Sequence, residues 1–353
     1  MKKLLNDKKV FLIGGPGGVG KTTFAAILGI QLALRGHRTV ILTVDPAKRL
    51  AQALGFDGFQ SELQQVVLPG MKGAGTLFAT MLDTQRYFDR VIDRFATSPD
   101  QKEKIFRNPL YRSIVESLGG THEYAAMERL LEFSKNPDFD KIVVDTPPSA
   151  NAVDLLNAPQ RLADFMDNSV LRWFQGPKPL YLQIFRQGTR VAMKFMQKVF
   201  GAQFMEALAT FMDDLEGMQA GFRNRNLEVI QLLQNPMTAF FLVTHPSEPR
   251  HLESVKFVQT LKEKRIPLNA ILLNRVEPNC PRELDRRANV DGKYLSNVQS
   301  FIRYYHALYQ QQAHWISTFK SSFPSIPHFA LERQSQPIHD ITTLSQLGTV
   351  LIS

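Results

Sequence analysis

One glycine-rich run near the start of the chain restricts the possible folds more than any other feature. The pattern G-x-x-x-x-G-K-[ST] is matched by consecutive residues, Gly15, Pro16, Gly17, Gly18, Val19, Gly20, Lys21 and Thr22. The apolar run Val10–Ile13 precedes it, and a helical pattern over Thr22–Arg35 follows it and stops at Gly36. A strand, a glycine-rich turn and a helix in this order predict a phosphate-binding loop. The alternative, a glycine-rich turn without a ligand, leaves the lysine and threonine of the run unexplained.

The residue types of this run suit the binding of Mg-ATP. Glycines allow the backbone N–H groups to curl inward around phosphate oxygens, and the start of a helix adds partial positive charge. We predict that Lys21 reaches the β- and γ-phosphates, with a catalytic as well as a binding role. We also predict that the Thr22 hydroxyl ligates Mg²⁺.

Other short apolar runs, bounded by Gly, Pro or Asp, are typical of buried parallel strands. They are Thr39–Val44, Leu77–Leu82, Ile142–Val144, Ala239–Val243, Ala270–Leu273 and, as a further candidate, Pro327–Ala330. Helical patterns such as Pro249–Lys264 lie between several of them. This alternation predicts an α/β fold with a doubly wound, mostly parallel sheet of the P-loop NTPase type. The ligand is then expected at the carboxyl ends of the strands.

Two long stretches interrupt the alternation, at about residues 84–134 and 159–235. Apolar residues in them recur at helical spacing, for example Phe88, Val91, Ile92 and Phe95. We therefore predict that residues 1–353 form a single domain, into which both stretches are inserted as a helical subdomain.

Methionine and phenylalanine are frequent in one part of the second stretch, over Met193–Met218. They are Met193, Met196, Met205, Met212, Met218, Phe195, Phe200, Phe204 and Phe211. Their spacing is typical of a helical core. The alternative is a groove for an apolar helix, because flexible methionine side chains adapt to varied partners.

Two carboxylates end predicted strands. Asp145 follows Ile142–Val144 and precedes a rigid turn, Thr146–Pro148. We predict that it is the outer partner of Mg²⁺, the alternative being a helix N-cap. Asp45 follows Thr39–Val44, and we predict that it orients the attacking water in catalysis.

These segments together resemble the family of the bacterial arsenite-pump ATPase and the eukaryotic ATPase that guides tail-anchored proteins to membranes, in particular its bacterial branch. The resemblance covers nearly the whole chain. Gly14–Thr23 resembles the family's phosphate loop, Asp45–Lys48 its first switch and Asp145–Ser149 its second switch. The resemblance implies that Thr23 helps to bind the nucleotide and that Asn274 reads adenine. On its own, Asn274 also fits a turn residue.

Members of this family are dimers that enclose ATP between their subunits, so the resemblance implies a homodimer or a heterodimer. A signature lysine directly after the first glycine of their loop contacts phosphate across the dimer. This chain has Pro16 there, and proline has neither an N–H nor a charge. We expect ATP binding to persist. Catalysis then either proceeds without the lysine or is completed by a paralogous subunit that bears it.

The cysteine content argues against two chemistries of the family. Cys280 is the single cysteine, so neither an intrachain disulfide nor a Cys-x-x-Cys clip can form. We therefore do not expect metalloid binding, as in an arsenite-efflux subunit, or a zinc site between subunits. His245 and His251 are too few and too isolated for a metal site, and we interpret them as surface or loop histidines.

Charge and hydropathy further limit the partners and the location that we expect for this protein. The formal net charge is +9, but the basic residues are scattered, which fits solvated helix faces and predicts no nucleic acid partner. Apolar stretches fall short of the roughly 20 residues that a membrane span requires. The start Met1–Leu5 lacks the apolar segment of a signal peptide. We expect a cytoplasmic protein.

Two functions of different classes fit these observations. The first is an ATPase whose nucleotide state opens and closes a binding groove for a client, an apolar helix or a membrane protein. The second is a nucleotide-binding partner subunit with little activity of its own. Pro16 favours the second function, and the carboxylates Asp45 and Asp145 favour the first.

Overall fold

A computed structural model describes most of the chain, in two compact units. The described residues are 1–44, 49–56, 63–68, 75–117, 121–146, 201–215, 217–278, 292–334, 338 and 340–352. The first unit comprises Met1–Met81, Glu132–Val153 and Leu233–Ser353. The second comprises Leu82–Leu131 and Asp154–Leu232. Their interpretation as one domain with insertions stays a prediction.

The first unit contains a sheet that has eight strands in the described part of the chain. The strands are β1 (Val10–Gly14), β2 (Thr39–Thr43), β3 (Gln64–Val66), β4 (Leu77–Met81), β5 (Lys141–Asp145), β6 (Thr238–Thr244), β7 (Leu268–Val276) and β8 (His328–Glu332). Their order is β3-β4-β2-β5-β1-β6-β7-β8. Only the β3–β4 pair is antiparallel among these neighbours. The predicted mostly parallel α/β sheet is confirmed.

The described helices follow the strands in alternation or cluster in the second unit. They are α1 (Lys2–Asp7), α2 (Lys21–Leu34), α3 (Arg49–Ala53), α4 (Thr84–Phe95), α5 (Pro99–Arg107), α6 (Leu110–Ser117), α7 (Thr121–Lys135), α8 (Ala202–Asp214), α9 (Gln219–Gln234), α10 (Glu248–Glu263), α11 (Gly292–Ser322) and α12 (Ile341–Ile352). The two helices predicted at Thr22–Arg35 and Pro249–Lys264 correspond to α2 and α10. No described helix is long and apolar enough to cross a membrane.

The central strands are apolar because both of their faces are covered. Every residue of β1, β2, β5 and β6 is buried. Phe11 and Ile13 lie in the same core as α2, while Leu12 of the opposite face is equally inaccessible. Strands that are buried on both faces have continuous apolar sequences. These strands could therefore be predicted from the sequence.

Helix α2 is fixed firmly between the sheet and α12. Gly29 lies so close to the sheet that a Cβ there would approach Ile41 Cδ1 to 2.5 Å. On the other side, Gln31 Nε2 donates a hydrogen bond to the Ser345 carbonyl at 2.9 Å. Because α2 begins where the glycine-rich loop ends, this packing also sets the position of the loop.

The second unit has its own apolar core, formed by described residues of α4 to α9. Phe88, Val91 and Ile92 are buried in it, as their helical spacing predicted. Phe211 and Met218 belong to the same core, so these two residues of the Met193–Met218 segment have the core role. Phe204 is exposed. The side chains of Met193, Met196, Met205, Met212, Phe195 and Phe200 lie outside the described part.

Candidate functional site

The glycine-rich loop connects β1 to α2, and its backbone geometry requires glycine. Gly15, Gly18 and Gly20 have φ values of 146°, 75° and 97°. A Cβ on Gly15 would lie 2.1 Å from the Val243 carbonyl oxygen at the end of β6, and one on Gly20 would lie 2.2 Å from Asn274 Nδ2. Glycine at these two positions therefore allows the loop to lie directly against β6 and β7.

Lys21, the first residue of α2, points back along the loop. Its Nζ donates hydrogen bonds to the carbonyls of Gly15 and Pro16, both at 2.9 Å, and the residue is only 6% exposed. A buried ammonium needs compensating acceptors, and backbone carbonyls supply them here. The loop therefore surrounds a fixed positive charge.

Asp145 ends β5 at the same edge of the sheet, with no exposed surface. The sheet register pairs it with Ile13 of β1 and with Thr43 of β2. Thr43 Oγ1 donates to Asp145 Oδ2 at 3.1 Å, and the next residue, Thr146, donates from its hydroxyl to the Ile13 carbonyl at 2.7 Å. Both hydroxyls thus fix the end of β5, which carries the carboxylate.

The residues at this edge fit a magnesium ion by their chemistry. Mg²⁺ prefers oxygen ligands, often one or two carboxylates together with phosphate oxygens. Asp145 supplies a carboxylate at the end of the strand beside the loop, and the partly buried Thr22 supplies a hydroxyl where α2 begins. Hard oxygen donors of this kind suit Mg²⁺ and not a softer metal.

Asn274 connects the loop to β7. Its Nδ2 donates to the Val19 carbonyl at 2.7 Å, and its Oδ1 accepts from the Arg275 backbone N–H at 2.9 Å. The apolar run Ala270–Leu273 predicted a strand that stops directly before Asn274, but β7 continues to Val276. The pairing of β7 with β8 shifts register between Asn274 and Val276, and the residue between them, Arg275, has a φ of 56°. The strand bends there without ending.

A cavity of about 440 Å³ opens beside this asparagine. Its lining includes Gly20, Thr23, His245, Asn274, Glu277 and Arg333. The volume lies within the range of roughly 300–1,000 Å³ that is usual for small-molecule sites. Thr23 and Asn274 were predicted to bind nucleotide, and both lie on its wall.

Charged groups from three segments form one side of the cavity. The buried Glu277 accepts a hydrogen bond from Arg333 Nη1 at 2.9 Å, and Tyr305 lies 3.4 Å from its other oxygen. His245 is half-buried, and burial, followed by the nearby Arg275, lowers its pKa. We interpreted His245 as a surface or loop residue, yet it lines this cavity. His251 lies on α10 and packs edge-on against Phe319.

Some predicted residues are not placed by the structure. Asp45 and the segment 46–48 lie outside the described residues, as do the end of the second switch at 147–149 and Cys280. Their predicted roles stay predictions. The loop, Lys21, Thr22, Asp145 and Asn274 are brought together at one edge of the sheet.

Sequence reasoning missed several residues that the structure places at this edge. Thr43 supports Asp145, while His245, Glu277 and Arg333 surround the cavity. A usable signal existed, because ligands bind beyond the carboxyl ends of parallel strands. His245 directly follows β6, and Glu277 directly follows β7, so both could have been proposed from their positions.

The chain matches a known protein family over most of its length. A family described as anion-transporting ATPase matches residues 8–316, which is most of the chain. The chain belongs to the anion-transporting ATPase family. Its membership makes the chain an ATPase, and the resemblance drawn from the sequence is confirmed. The roles of individual residues in the anion-transporting ATPase site stay predictions.

Three of the relatives come from one plant and one bacterium. ATPase GET3C of Arabidopsis thaliana is 27% identical over 291 residues, 78% of this chain and 68% of that protein. ATPase GET3B of the same plant is 28% identical over 290 residues, 77% and 65% of the respective chains. A putative arsenical pump-driving ATPase 2 of Aquifex aeolicus is 25% identical over 302 residues, which cover 83% of this chain and 89% of that protein. The match thus spans about two thirds of the two plant relatives.

Proposed function

We propose that this anion-transporting ATPase binds Mg-ATP at the carboxyl edge of the sheet and hydrolyses it. The observation that carries the proposal is the meeting of three features at that edge: the glycine-rich loop, the buried Asp145 and the cavity beside Asn274. The loop and Lys21 bind the phosphates, Thr22 and Asp145 hold Mg²⁺, and Asn274 faces the adenine. The cavity is large enough for the base and ribose.

The proposed reaction transfers the γ-phosphoryl group of ATP to water. The oxygen of the water forms a bond to the γ-phosphorus, the bond from that phosphorus to the bridging oxygen breaks, and ADP leaves with the electron pair. Asp45 orients the water. Lys21 and the loop N–H groups stabilise the negative charge on the phosphoryl oxygens. Mg²⁺ supplies further neutralisation of this charge when bound.

Asp145 provides a test of the magnesium assignment. Asp145→Asn should weaken Mg-ATP binding by about tenfold or more, because a neutral amide is a poorer ligand for a hard cation. Binding of ATP in excess EDTA should change much less. Calorimetric titration in the two conditions measures the difference.

An equal loss in both conditions would mean that Asp145 only supports the backbone, as a helix cap does. Thr43→Val is the matched control, since it removes the hydroxyl that donates to Asp145 and leaves the carboxylate. It should reduce Mg-ATP affinity less than Asp145→Asn does.

The wider proposal is that the nucleotide state controls the binding of a client in a dimer. It rests on the family resemblance and on the helical second unit, since an apolar helix or a membrane-protein segment would suit a helical subdomain. A cytoplasmic location, the absence of a zinc requirement and the absence of a nucleic acid partner belong to the same proposal. The test is capture of an apolar helical peptide with ADP and with a non-hydrolysable ATP analogue. Equal capture in both states would reject nucleotide control.

A second candidate function is favoured by Pro16. In this alternative the chain is a weakly active subunit that completes an ATPase together with a paralogue bearing the signature lysine. Pro16 is buried at the second position of the loop and carries no charge. A symmetric dimer of this chain therefore lacks the lysine that would reach across to each γ-phosphate.

The second candidate makes a prediction about rate. The isolated chain should hydrolyse ATP slowly, and a lysine-bearing paralogue should raise the rate, since cations supplied in trans contribute roughly 10³–10⁵ in related P-loop enzymes. Steady-state phosphate release by the pure chain, with and without the paralogue, measures this. Brisk turnover by the chain alone, abolished by Lys21→Ala, would reject the paired-subunit function and leave a self-sufficient ATPase.

A further inference from the structure

The segment after β6 brings a second cation to the glycine-rich loop. The first five residues of β6, Thr238–Leu242, pair with β1, and the Val243 carbonyl lies close against Gly15. The chain then turns into α10, whose third residue is Arg250. Arg250 Nη2 lies 3.4 Å from the Gly17 carbonyl. A guanidinium is thus placed beside the loop, one residue beyond the uncharged Pro16.

This guanidinium is held loosely. Charge-assisted hydrogen bonds are usually about 2.7–2.9 Å long, and the contact with Gly17 is longer, at 3.4 Å. The carboxylate partner, Glu253 on the same helix, forms a 2.8 Å contact with Nη1, but the two side chains are 34% and 47% exposed. Exposed ion pairs of this kind contribute little to stability. A phosphate with several negative charges would compete successfully with both partners.

We propose that Arg250 is a catalytic residue that contacts the terminal phosphate of ATP bound to its own loop. The inference rests on the proposed function, and it concerns the charge that Pro16 does not provide. Arginine suits this role because its planar donors match phosphate oxygens in two-bond contacts. Some P-loop enzymes carry such an arginine in the same chain as the loop. If Arg250 has this role, the chain can act as a self-sufficient ATPase and does not need a lysine from a paired subunit.

The contribution belongs to the transfer step described above. As the bond between the γ-phosphorus and the bridging oxygen breaks, negative charge spreads over the phosphoryl oxygens. Arg250 donates N–H hydrogen bonds to these oxygens and takes no part in proton transfer. Water supplies the new oxygen, and its proton passes to solvent. Ground-state binding of ADP, which lacks this group, is not expected to involve Arg250.

The test separates a catalytic role from support of the loop. Arg250→Ala should lower kcat roughly 10²-fold, the scale for removing one donor to a developing charge, with KM changed little. Affinity for ADP with aluminium fluoride, an analogue of the phosphoryl group in transfer, should fall by a similar factor. Affinity for ADP alone should stay within about threefold. Arg250→Lys should recover part of the loss, because it restores the charge but not the planar donors.

Two controls lie on the same helix. Glu253→Gln removes the partner carboxylate, and Lys256→Ala removes an exposed positive charge farther along α10. Neither variant should lower kcat or the affinity for the analogue. Arg250→Ala with unchanged analogue affinity would overturn the assignment. So would an equal loss of ADP and analogue affinity, which indicates a structural role. Absence of ATP binding by the wild-type chain would instead reject the proposed function itself.

Discussion

Replacing Gly15 with alanine is expected to remove ATP binding and to lower the free energy of unfolding by about 3 kcal/mol or more. The added Cβ would lie 2.1 Å from the Val243 carbonyl oxygen, and Gly15 has a φ of 146°. Backbone contacts at this distance cannot be relieved by a side-chain rotation. The loop must move away from β6, and its N–H groups would lose their common direction.

Gly18 supplies the matched control for this substitution. Its φ of 75° also disfavours a side chain, but no atom lies within 4 Å of an added Cβ. Gly18→Ala should therefore cost only about 1–2 kcal/mol, the price of the left-handed conformation. Denaturant unfolding of both variants measures the difference. Equal stabilities would show that the close approach of Gly15 to β6 does not constrain the loop.

Removing the Lys21 side chain is expected to weaken ATP binding by about 2 kcal/mol or more, roughly thirtyfold in Kd. The ammonium is already desolvated and directed along the loop by the Gly15 and Pro16 carbonyls. It therefore meets a phosphate without a large cost of reorganisation. Lys21→Ala is compared with wild type by calorimetric titration of ATP, with and without Mg²⁺.

Lys256→Ala is again a suitable control, because it removes an exposed positive charge from the same chain. Its ATP affinity should match that of wild type, so that a general change of net charge is excluded. Retention of full ATP affinity by Lys21→Ala would mean that the glycine-rich loop is not the phosphate site. The melting temperature of each variant shows whether it is folded.

The sheet could be predicted from the sequence largely because its central strands are buried on both faces. Runs such as Val10–Ile13 are continuously apolar, whereas strands with one face in solvent alternate apolar and polar residues. β3 was not predicted, since Gln64-Gln65-Val66 has no apolar run and depends on antiparallel pairing with β4. Such a strand is determined by its neighbour and not by its own composition.

The candidate site was likewise predictable only in part. The glycine-rich loop and Asp145 were predictable because their chemistry is encoded in short, contiguous segments. The cavity was not, because His245, Glu277 and Arg333 come from three separate segments. The bend at Arg275 was also hidden, since its φ of 56° is unusual for arginine. Contacts between distant segments leave no local pattern in a sequence.

The order of the strands has a consequence for how this protein is made. Within the described sheet, Val10 pairs with Ile142 on one side and Thr238 on the other. At a synthesis rate of about 5–20 residues per second, roughly ten to fifty seconds separate β1 from β6 on the ribosome. During that interval the loop has neither the Val243 carbonyl nor Asn274 to hold its shape. ATP binding at this loop would therefore mark a chain in which β1, β6 and β7 are already in place.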